Sequence, residues 1–152
     1  MSEARPEADV ELLTDILGTV LQESAFMFVE PDQEPVEWAP QVFAATLAFE
    51  SVRGGTLRLT AALPVGVELA ANMLGTDPTD PEAVENGRAA ISEILNVIGG
   101  AFVTRYFGTK VPSQLGLPQA MLSSHPATGR RTCAAVVRSD TGEPVLLELD
   151  LE

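Results

Sequence analysis

The sequence is poor in the residues on which most hydrolases depend, since its 152 residues include one cysteine and one histidine. Cys133 has no partner for an internal disulfide. With His125 it would supply two of the roughly four ligands that zinc requires, at no familiar spacing. Cys133 leads into an apolar run and is predicted to be a buried strand residue, and His125 is predicted to lie in a solvated loop. Covalent and metal-dependent hydrolases of the common types are therefore disfavoured.

Basic residues are also scarce, with 9 Lys and Arg against 22 Asp and Glu and a formal net charge of -13. This charge repels nucleic acids and anionic membrane surfaces, so we expect no nucleic-acid or membrane partner. No run approaches the roughly 18 apolar residues that suggest a membrane span. The acidic N-terminus has no apolar segment typical of a signal peptide. A cytoplasmic location is the simplest expectation.

Aromatic residues make up 5% of the chain and apolar residues 45%, so the core must consist mainly of Leu, Val, Ile and Ala. The length suits one ordinary domain and is short for two. We predict a disordered acidic tail over residues 1–7 and a single domain over residues 8–152.

Apolar residues recur at helical spacing in three segments. The first two helices are predicted over 8–24 and 65–74, and the third begins near Thr79-Asp80-Pro81-Glu82 and runs to about Tyr106. That tetrapeptide combines a capping residue, an early proline and an acid, which favour a helix N-terminus. Gly75 and Gly108 follow the second and third helices as stop signals.

Six segments have the composition of β-strands. They are 25–29, 42–49, 56–60, 114–122, 131–138 and 144–150. The second and third are joined through Arg53-Gly54-Gly55, which predicts an antiparallel hairpin. Together the elements predict an α+β domain, with an antiparallel sheet of about six strands and long helices.

Two helical segments can be aligned with each other without a gap. Thr14-Asp15-Ile16-Leu17-Gly18-Thr19-Val20 matches Ser92-Glu93-Ile94-Leu95-Asn96-Val97-Ile98. Any two amphipathic helices can match this well, and a duplicated half-domain would produce the same match. From the alignment alone both explanations stay open.

The third helix has one polar site on its predicted outer face. Each helical residue advances by about 100°, so one apolar stripe faces the core and the opposite side faces outward. The stripe consists of Ile91, Ile94, Leu95, Ile98 and Phe102. Glu93 and Asn96 lie together on the outer side, flanked by Ala89 and Gly100. An ordinary solvated surface and a functional site are both compatible with this spacing.

The pair Gly99-Gly100 is unusual inside a helix, because each glycine costs about 1 kcal/mol relative to alanine. Either close packing of the helix or close approach of a partner would explain it. Gly99 points partly toward the core and fits the first explanation, whereas Gly100 points outward and fits the second.

Glu93-Ile94-Leu95-Asn96, followed by Val97-Ile98-Gly99-Gly100, resembles the Glu-x-x-Asn signature of the CheC/CheX/FliY chemotaxis phosphatases. The resemblance covers most of the chain, because Gly55-Thr56-Leu57-Arg58-Leu59 and Ala70-Ala71-Asn72-Met73-Leu74-Gly75 follow the order seen in that family. It implies an α+β fold built on a pseudo-two-fold internal repeat.

The resemblance also implies a single working site, as in CheX. The first helix has Asp15 and Gly18 where the third has Glu93 and Asn96, and glycine has no side chain with which to orient a reactant. Two departures from the family pattern are present. Ala89 stands where the fuller motif has Asp or Ser, and Pro118 lies 22 rather than 23 positions beyond Asn96.

The function implied is removal of phosphate from the aspartate of a CheY-like receiver domain. Asn96 would orient the attacking water and Glu93 would engage the partner's active-site lysine, while Ala89, Ser92 and Gly100 would contact the partner. The magnesium belongs to the receiver, so no cofactor or metal of the chain's own is expected. CheX-like proteins also lead us to expect a homodimer.

Two further hypotheses stay open. One is an adaptor of the same fold that binds a receiver, or joins a switch complex, without turnover. The other is a structural α+β domain that dimerises through its sheet, with Glu93 and Asn96 incidental.

Overall fold

The computed structural model describes residues 6–126 and 129–152. Three helices and seven strands make up this part of the chain. In chain order they are α1 (Pro6–Ala25), β1 (Val29–Asp32), β2 (Val42–Glu50), β3 (Gly55–Ala62), α2 (Leu63–Leu74), α3 (Ala83–Phe107), β4 (Gln114–Leu115), β5 (Gln119–Ser123), β6 (Cys133–Ser139) and β7 (Pro144–Leu151). The predicted α+β class and the antiparallel sheet are confirmed.

The strands form one antiparallel sheet in the order β1-β6-β7-β3-β2-β4, and β5 also pairs with β2. β3 and β7 lie together at the centre of the sheet. The first strand of the N-terminal half, β1, pairs with β6 of the C-terminal half. In the same way β5, from the C-terminal half, pairs with β2. Each half of the chain thus contributes one strand that pairs with a strand of the other half. A duplicated half-domain would produce this exchange of strands, and the duplication itself stays a prediction.

The three helices pack on one face of the sheet. Every second side chain of the central strands points toward this face and forms one core with the helices. The inward side chains of β3, Leu57 and Leu59, are fully buried in this core. Few aromatic rings contribute, and Phe49, Phe102, Tyr106 and Phe107 gather at the end of α3.

Two glycines let α2 and α3 approach the sheet. A Cβ atom on Gly66 would overlap the ring of Phe43, and one on Gly87 would lie 2.8 Å from Cζ of the same ring. Both distances are well inside van der Waals contact, so the ring occupies the space that the two glycines leave. The core contains few aromatic residues, as expected from the composition. One of them, Phe43, contacts both α2 and α3 at these glycines.

The predicted strand at 25–29 is wrong. Ala25 ends α1, Phe26 has a left-handed backbone (φ 54°), and the strand begins at Val29. The apolar composition suggested a buried strand, but Phe26 and Phe28 are 75% and 69% exposed.

Two other boundaries differ from the predictions. The strand expected over 114–122 is two strands, because β4 ends at Leu115 and β5 begins at Gln119. Gly116 and Pro118 lie in the interruption, and proline has no N–H with which to continue a ladder. α1 begins at Pro6, inside the tail predicted over 1–7, and residues 1–5 lie outside the described residues.

The predicted hairpin and the helix ends are confirmed. β2 pairs with β3 from Val42–Ala62 to Phe49–Gly55. Gly75 has a left-handed backbone (φ 69°) and its N–H donates to Ala71 O, as in a helix C-terminal cap. Within the described residues, no helix has the length and apolar character needed to cross a bilayer.

Candidate functional site

The candidate site lies on α3, a helix of 25 residues whose two ends match the sequence signals. Before its first turn, Asp80 Oδ1 accepts a hydrogen bond of 2.8 Å from the Glu82 N–H. After its last turn, Gly108 has φ 98° and its N–H donates to Thr104 O. Glu82, the residue before the helix, makes no side-chain capping hydrogen bond, so the Asp80 contact belongs to the turn that precedes α3.

The core-facing stripe predicted for α3 is confirmed. All five of its residues are 0% exposed: Ile91, Ile94, Leu95, Ile98 and Phe102. Because this stripe is fully anchored, the rotation of α3 about its axis is fixed, and so is the face that it presents to solvent.

That solvent face brings together all the residues proposed from the sequence. Ala89, Glu93 and Asn96 are exposed, and Ser92 and Gly100 are half-buried. The side chains of Glu93 and Asn96 form no hydrogen bond or ion pair with any other part of residues 6–126 and 129–152. A carboxylate and a carboxamide are thus available side by side for an external ligand.

Gly99 and Gly100 have different surroundings, as the sequence suggested. A Cβ atom on Gly99 would overlap Cδ2 of Leu47 in β2 and would lie 3.4 Å from Leu115 in β4. A Cβ atom on Gly100 would meet nothing within 4 Å. Packing of α3 on the sheet therefore accounts for Gly99, but no contact within the described residues requires Gly100 to be glycine.

The corresponding face of α1 has a different chemistry. Asp15 forms an ion pair with Arg105 at the far end of α3, with 2.6 Å between Oδ2 and Nη1. Gly18 supplies no side chain, and its nearest neighbour for an added Cβ would be Val29 Cγ2 at 3.9 Å. The α1 face thus offers neither a carboxamide nor a free carboxylate at these two positions.

The single cysteine and the single histidine have the environments predicted for them. Cys133 is 7% exposed in β6, and burial raises the pKa of its thiol to about 11. A thiol with such a pKa is almost fully protonated at neutral pH and is a poor nucleophile. His125 is exposed in the segment after β5. In the described residues, no group of three or more His, Cys, Asp or Glu side chains could hold a metal ion.

Burial of three ionisable residues was not predicted from the sequence: Asp9, Arg58 and Glu148. Arg58 and Glu148 face each other on the sheet surface opposite the helices, with 3.7 Å between Nε and Oε1. Arg131 also reaches Glu148, with 3.4 Å between Nη1 and Oε2. The alternation of β3 and β7 could have indicated that positions 58 and 148 share a face. The same alternation could not have shown that Arg58 and Glu148 are buried on that face.

Three helices on one face of this seven-stranded antiparallel sheet form the architecture of the CheX and CheC-like chemotaxis proteins, so the α+β fold expected from the resemblance is confirmed, and its internal repeat stays a prediction. CheX from Vibrio vulnificus superposes with a TM-score of 0.76 at 22% identity, covering 99% of this chain and 100% of that one. CheX in the CheX-CheY-BeF3-Mg2+ complex from Borrelia burgdorferi gives 0.70 at 15% identity, with coverage of 94% and 97%.

A third solved structure has the same fold at lower similarity. FliY from Thermotoga maritima has a TM-score of 0.60 at 11% identity, with 97% of this chain and 91% of that one covered. No protein-family model matches this sequence, and no curated protein matches it in sequence either. At these identities the likeness establishes the fold alone.

Proposed function

We propose that this protein removes the phosphate from the aspartyl phosphate of a CheY-like receiver domain, with the α3 face of Glu93 and Asn96 as its active site. The observation that carries the proposal is the exposure of an unpartnered carboxylate and an unpartnered carboxamide, three residues apart, on a helix whose rotation the core fixes. Because both groups lie on the outer surface of a helix, they would enter the active-site cleft of the receiver.

The reaction requires little from the phosphatase beyond positioning. An acyl phosphate is already prone to hydrolysis, and phosphoryl transfer depends mainly on alignment and charge stabilisation. The Asn96 carboxamide would hold the attacking water in line with the phosphorus. Being neutral, it needs no particular protonation state and adds no negative charge next to the phosphate.

The neighbouring residues would secure the contact. Glu93 would pair with the receiver's active-site lysine and hold α3 in register. Ala89, Ser92 and Gly100 present little or no side chain, so the receiver's loops could approach the helix backbone closely. The magnesium ion would be supplied by the receiver, and its role is to neutralise charge that develops on the phosphoryl oxygens.

The charge distribution supports this approach despite the net charge of -13. Between Ser92 and Thr104, Glu93 is the only ionisable side chain. A phosphorylated, acidic cleft would therefore meet one carboxylate here, and that carboxylate has a cationic partner in the proposal. The acids at the N-terminus and in the loops would stay outside the contact.

A complex formed by a protein of similar fold supports the choice of partner. CheX from Borrelia burgdorferi forms a complex with CheY, BeF3 and Mg2+. A receiver substrate would place this protein in the cytoplasm. The homodimer expected from CheX-like proteins also stays a prediction, which sedimentation equilibrium of the purified chain would test.

The decisive measurement is phosphate loss from phosphorylated CheY-like receivers of the same organism. The native protein should accelerate it, and Asn96→Ala should return it to the spontaneous rate. Glu93→Ala should weaken receiver binding as well as turnover. Thr19→Ala and Glu11→Ala provide matched controls, since both are exposed polar positions on α1. Equal rates for native protein and Asn96→Ala would refute the assignment.

One observation favours a second function, that of a receiver-binding adaptor without turnover. Ala89 has no polar group at the position where the resembling motif has Asp or Ser, so one contact to the partner is missing. Binding of a receiver by the native protein, with no faster phosphate loss, would support the adaptor. Absence of both binding and turnover would leave only a structural role.

A further inference from the structure

The connection between α1 and β1 presents two aromatic side chains to solvent. Phe26 is 75% exposed and Phe28 is 69% exposed, whereas Met27 between them is 4% exposed. Folding alone gives no reason to expose two phenylalanines so close together, particularly where only six are present in the chain. Exposed apolar groups that cluster in this way commonly mark an interaction surface.

Phe26 also occupies a backbone position at which glycine or asparagine is usually found. It is the only non-glycine residue with positive φ among the described residues, and its N–H donates to Gln22 O at 3.0 Å. This is the left-handed cap that ends many helices, where glycine or asparagine is preferred. A bulky side chain is disfavoured there. Phe26 is therefore both strained and exposed.

The backbone around the two aromatic rings is held firmly. The Asn72 side chain of α2 donates a hydrogen bond of 2.9 Å to Ala25 O, and the Met27 N–H donates to Leu21 O. Met27 anchors the segment in the core. The rings of Phe26 and Phe28 are thus presented by a fixed backbone rather than by a loose loop.

Phe28 lies between two concave surfaces. One is a groove with a volume of about 290 Å³, which runs along α1 past Thr14, Gly18 and Gln22 to β1. The other, of about 410 Å³, lies over the end of β6 and includes Glu30. Because an alanine at position 18 would make only ordinary contact with Val29, packing does not explain the glycine. The absence of a side chain there leaves the first concave surface open.

The unpaired charges around this surface are negative. Glu23, Glu30 and Asp140 are exposed and form no ion pair with any of the described residues. Glu68 is half-buried nearby, and burial together with the neighbouring Asp140 raises its pKa. The nearby cations are already engaged, because Arg105 pairs with Asp15 and Arg138 pairs with Asp32. Glu30 and Asp140 thus line the second concave surface together with Phe28, and Glu23 lies three residues before Phe26.

From this combination we propose that the α1–β1 face is a docking surface for a basic amphipathic helix of another protein. Its apolar residues would pack on Phe26, Phe28 and the open surface at Gly18, and its Lys or Arg residues would meet Glu23 and Glu30. Thr14 to Gln22 span about 12 Å of helix, enough to lie along two turns of a partner. This proposal goes beyond the receiver phosphatase, which uses α3.

Two alternative occupants fit less well. A second copy of this chain would bring another charge of -13 to an acidic rim. An added β-strand would have to pair with β1, a strand of four residues at the edge of the sheet. Pro31 lies in that strand, and Glu30 and Asp32 flank it. Proline and charge at an edge oppose strand addition.

The test uses an 18-residue peptide of Lys and Leu, with leucines at helical spacing, titrated into the full chain. A scrambled peptide of the same composition separates docking from general attraction to an acidic protein. We expect the amphipathic peptide to bind and to perturb backbone NMR signals near residues 22–31. Phe26→Asn/Phe28→Ser should weaken binding at least tenfold. Leu117→Ser removes an apolar side chain that is 85% exposed elsewhere, and it should leave binding unchanged.

The variant also provides a folding control. Asparagine accepts the left-handed conformation, so Phe26→Asn should unfold at a higher urea concentration than the native protein. Equal binding of the scrambled peptide, equal binding by the double variant, or no binding of the amphipathic peptide at millimolar concentration would each overturn the proposal. A lower urea midpoint for Phe26→Asn would do so as well, because it would give Phe26 a structural role.

Discussion

Gly99 and Leu47 are in such close contact that a single methyl group on Gly99 would occupy the space of Leu47 Cδ2. A Cβ atom on the next residue of the helix, Gly100, would meet no atom within 4 Å. Two adjacent glycines in one helix therefore serve different purposes. One lets α3 lie against β2, and the other leaves the helix backbone accessible from outside.

This difference predicts that two alanine substitutions have different effects on stability. Both Gly99→Ala and Gly100→Ala gain about 1 kcal/mol of helix propensity. Only Gly99→Ala introduces overpacking, which costs about 1–3 kcal/mol. Gly99→Ala should therefore be less stable than Gly100→Ala by roughly that amount in urea denaturation. Equal stabilities would mean that Leu47 rotates away without cost.

Gly100→Ala should also affect the proposed reaction. If a receiver approaches the helix backbone at Gly100, the added methyl should slow phosphate release while the protein becomes more stable. The expected sign of the two changes is opposite, so loss of folding cannot explain a slower rate. An unchanged rate would place Gly100 outside the contact.

Ala89 allows the proposed site to be strengthened rather than broken. Ala89→Ser adds a hydroxyl on the exposed face that carries Glu93 and Asn96, at the position where the resembling motif has Asp or Ser. We expect faster phosphate release from the receiver. The same substitution in an Asn96→Ala background should stay at the spontaneous rate. Acceleration in both backgrounds would show that the hydroxyl acts without Asn96.

Asp9 predicts how stability depends on pH. Burial raises the pKa of this carboxyl, and the nearby Arg53 acts against the shift. The native state then holds the proton more tightly than the unfolded chain does. The resulting stability is fully present below about pH 3.9, the ordinary pKa, and is lost as the pH rises through the pKa of the folded state.

Asp9→Asn should accordingly stabilise the protein at pH 7, because Asp9 Oδ2 is buried without a hydrogen-bond partner in the described residues and asparagine carries no charge. The gain in the free energy of unfolding should shrink as the pH is lowered toward 4. Glu11→Gln is the control, since Glu11 is exposed two residues further along α1. A gain that is independent of pH would exclude ionisation of Asp9 as the cause.

The buried pair of Arg58 and Glu148 should respond asymmetrically to substitution. Glu148→Leu leaves the buried Arg58 guanidinium without a carboxylate, and a broken buried pair costs about 3–5 kcal/mol. Arg58→Met should cost less, because Arg131 still pairs with Glu148. The double variant should be more stable than Glu148→Leu alone. Urea denaturation of the three variants tests this order, and strictly additive losses would contradict it.

The sequence contained enough information for the helices, the hairpin and the orientation of α3, because each depends on local signals. The 3.6-residue period placed Ile91 to Phe102 toward the core, and Gly75 and Gly108 marked the helix ends. Glu93 and Asn96 followed from the same periodicity. Their association with a receiver came from the resemblance, and it stays a prediction.

The errors arose where tertiary structure overrides local preference. Ala25 to Val29 has the composition of a buried strand, yet α1 ends at Ala25, and Phe26 follows it in a conformation that phenylalanine rarely adopts. Asp9 and Glu148 are buried although most acids are exposed, and burial of a charged residue depends on segments that are distant in sequence. The exchange of β1 and β5 between the halves likewise has no local signal.

That exchange of strands has a practical consequence. A cut in the connection between α2 and α3 would give two fragments, and each would hold an edge strand whose pairing surface belongs to the other. Neither fragment could complete its own sheet, so the two should gain structure only on meeting. The chain is therefore suited to being divided into a split reporter, in which reassembly of the halves signals that two fused proteins have come together.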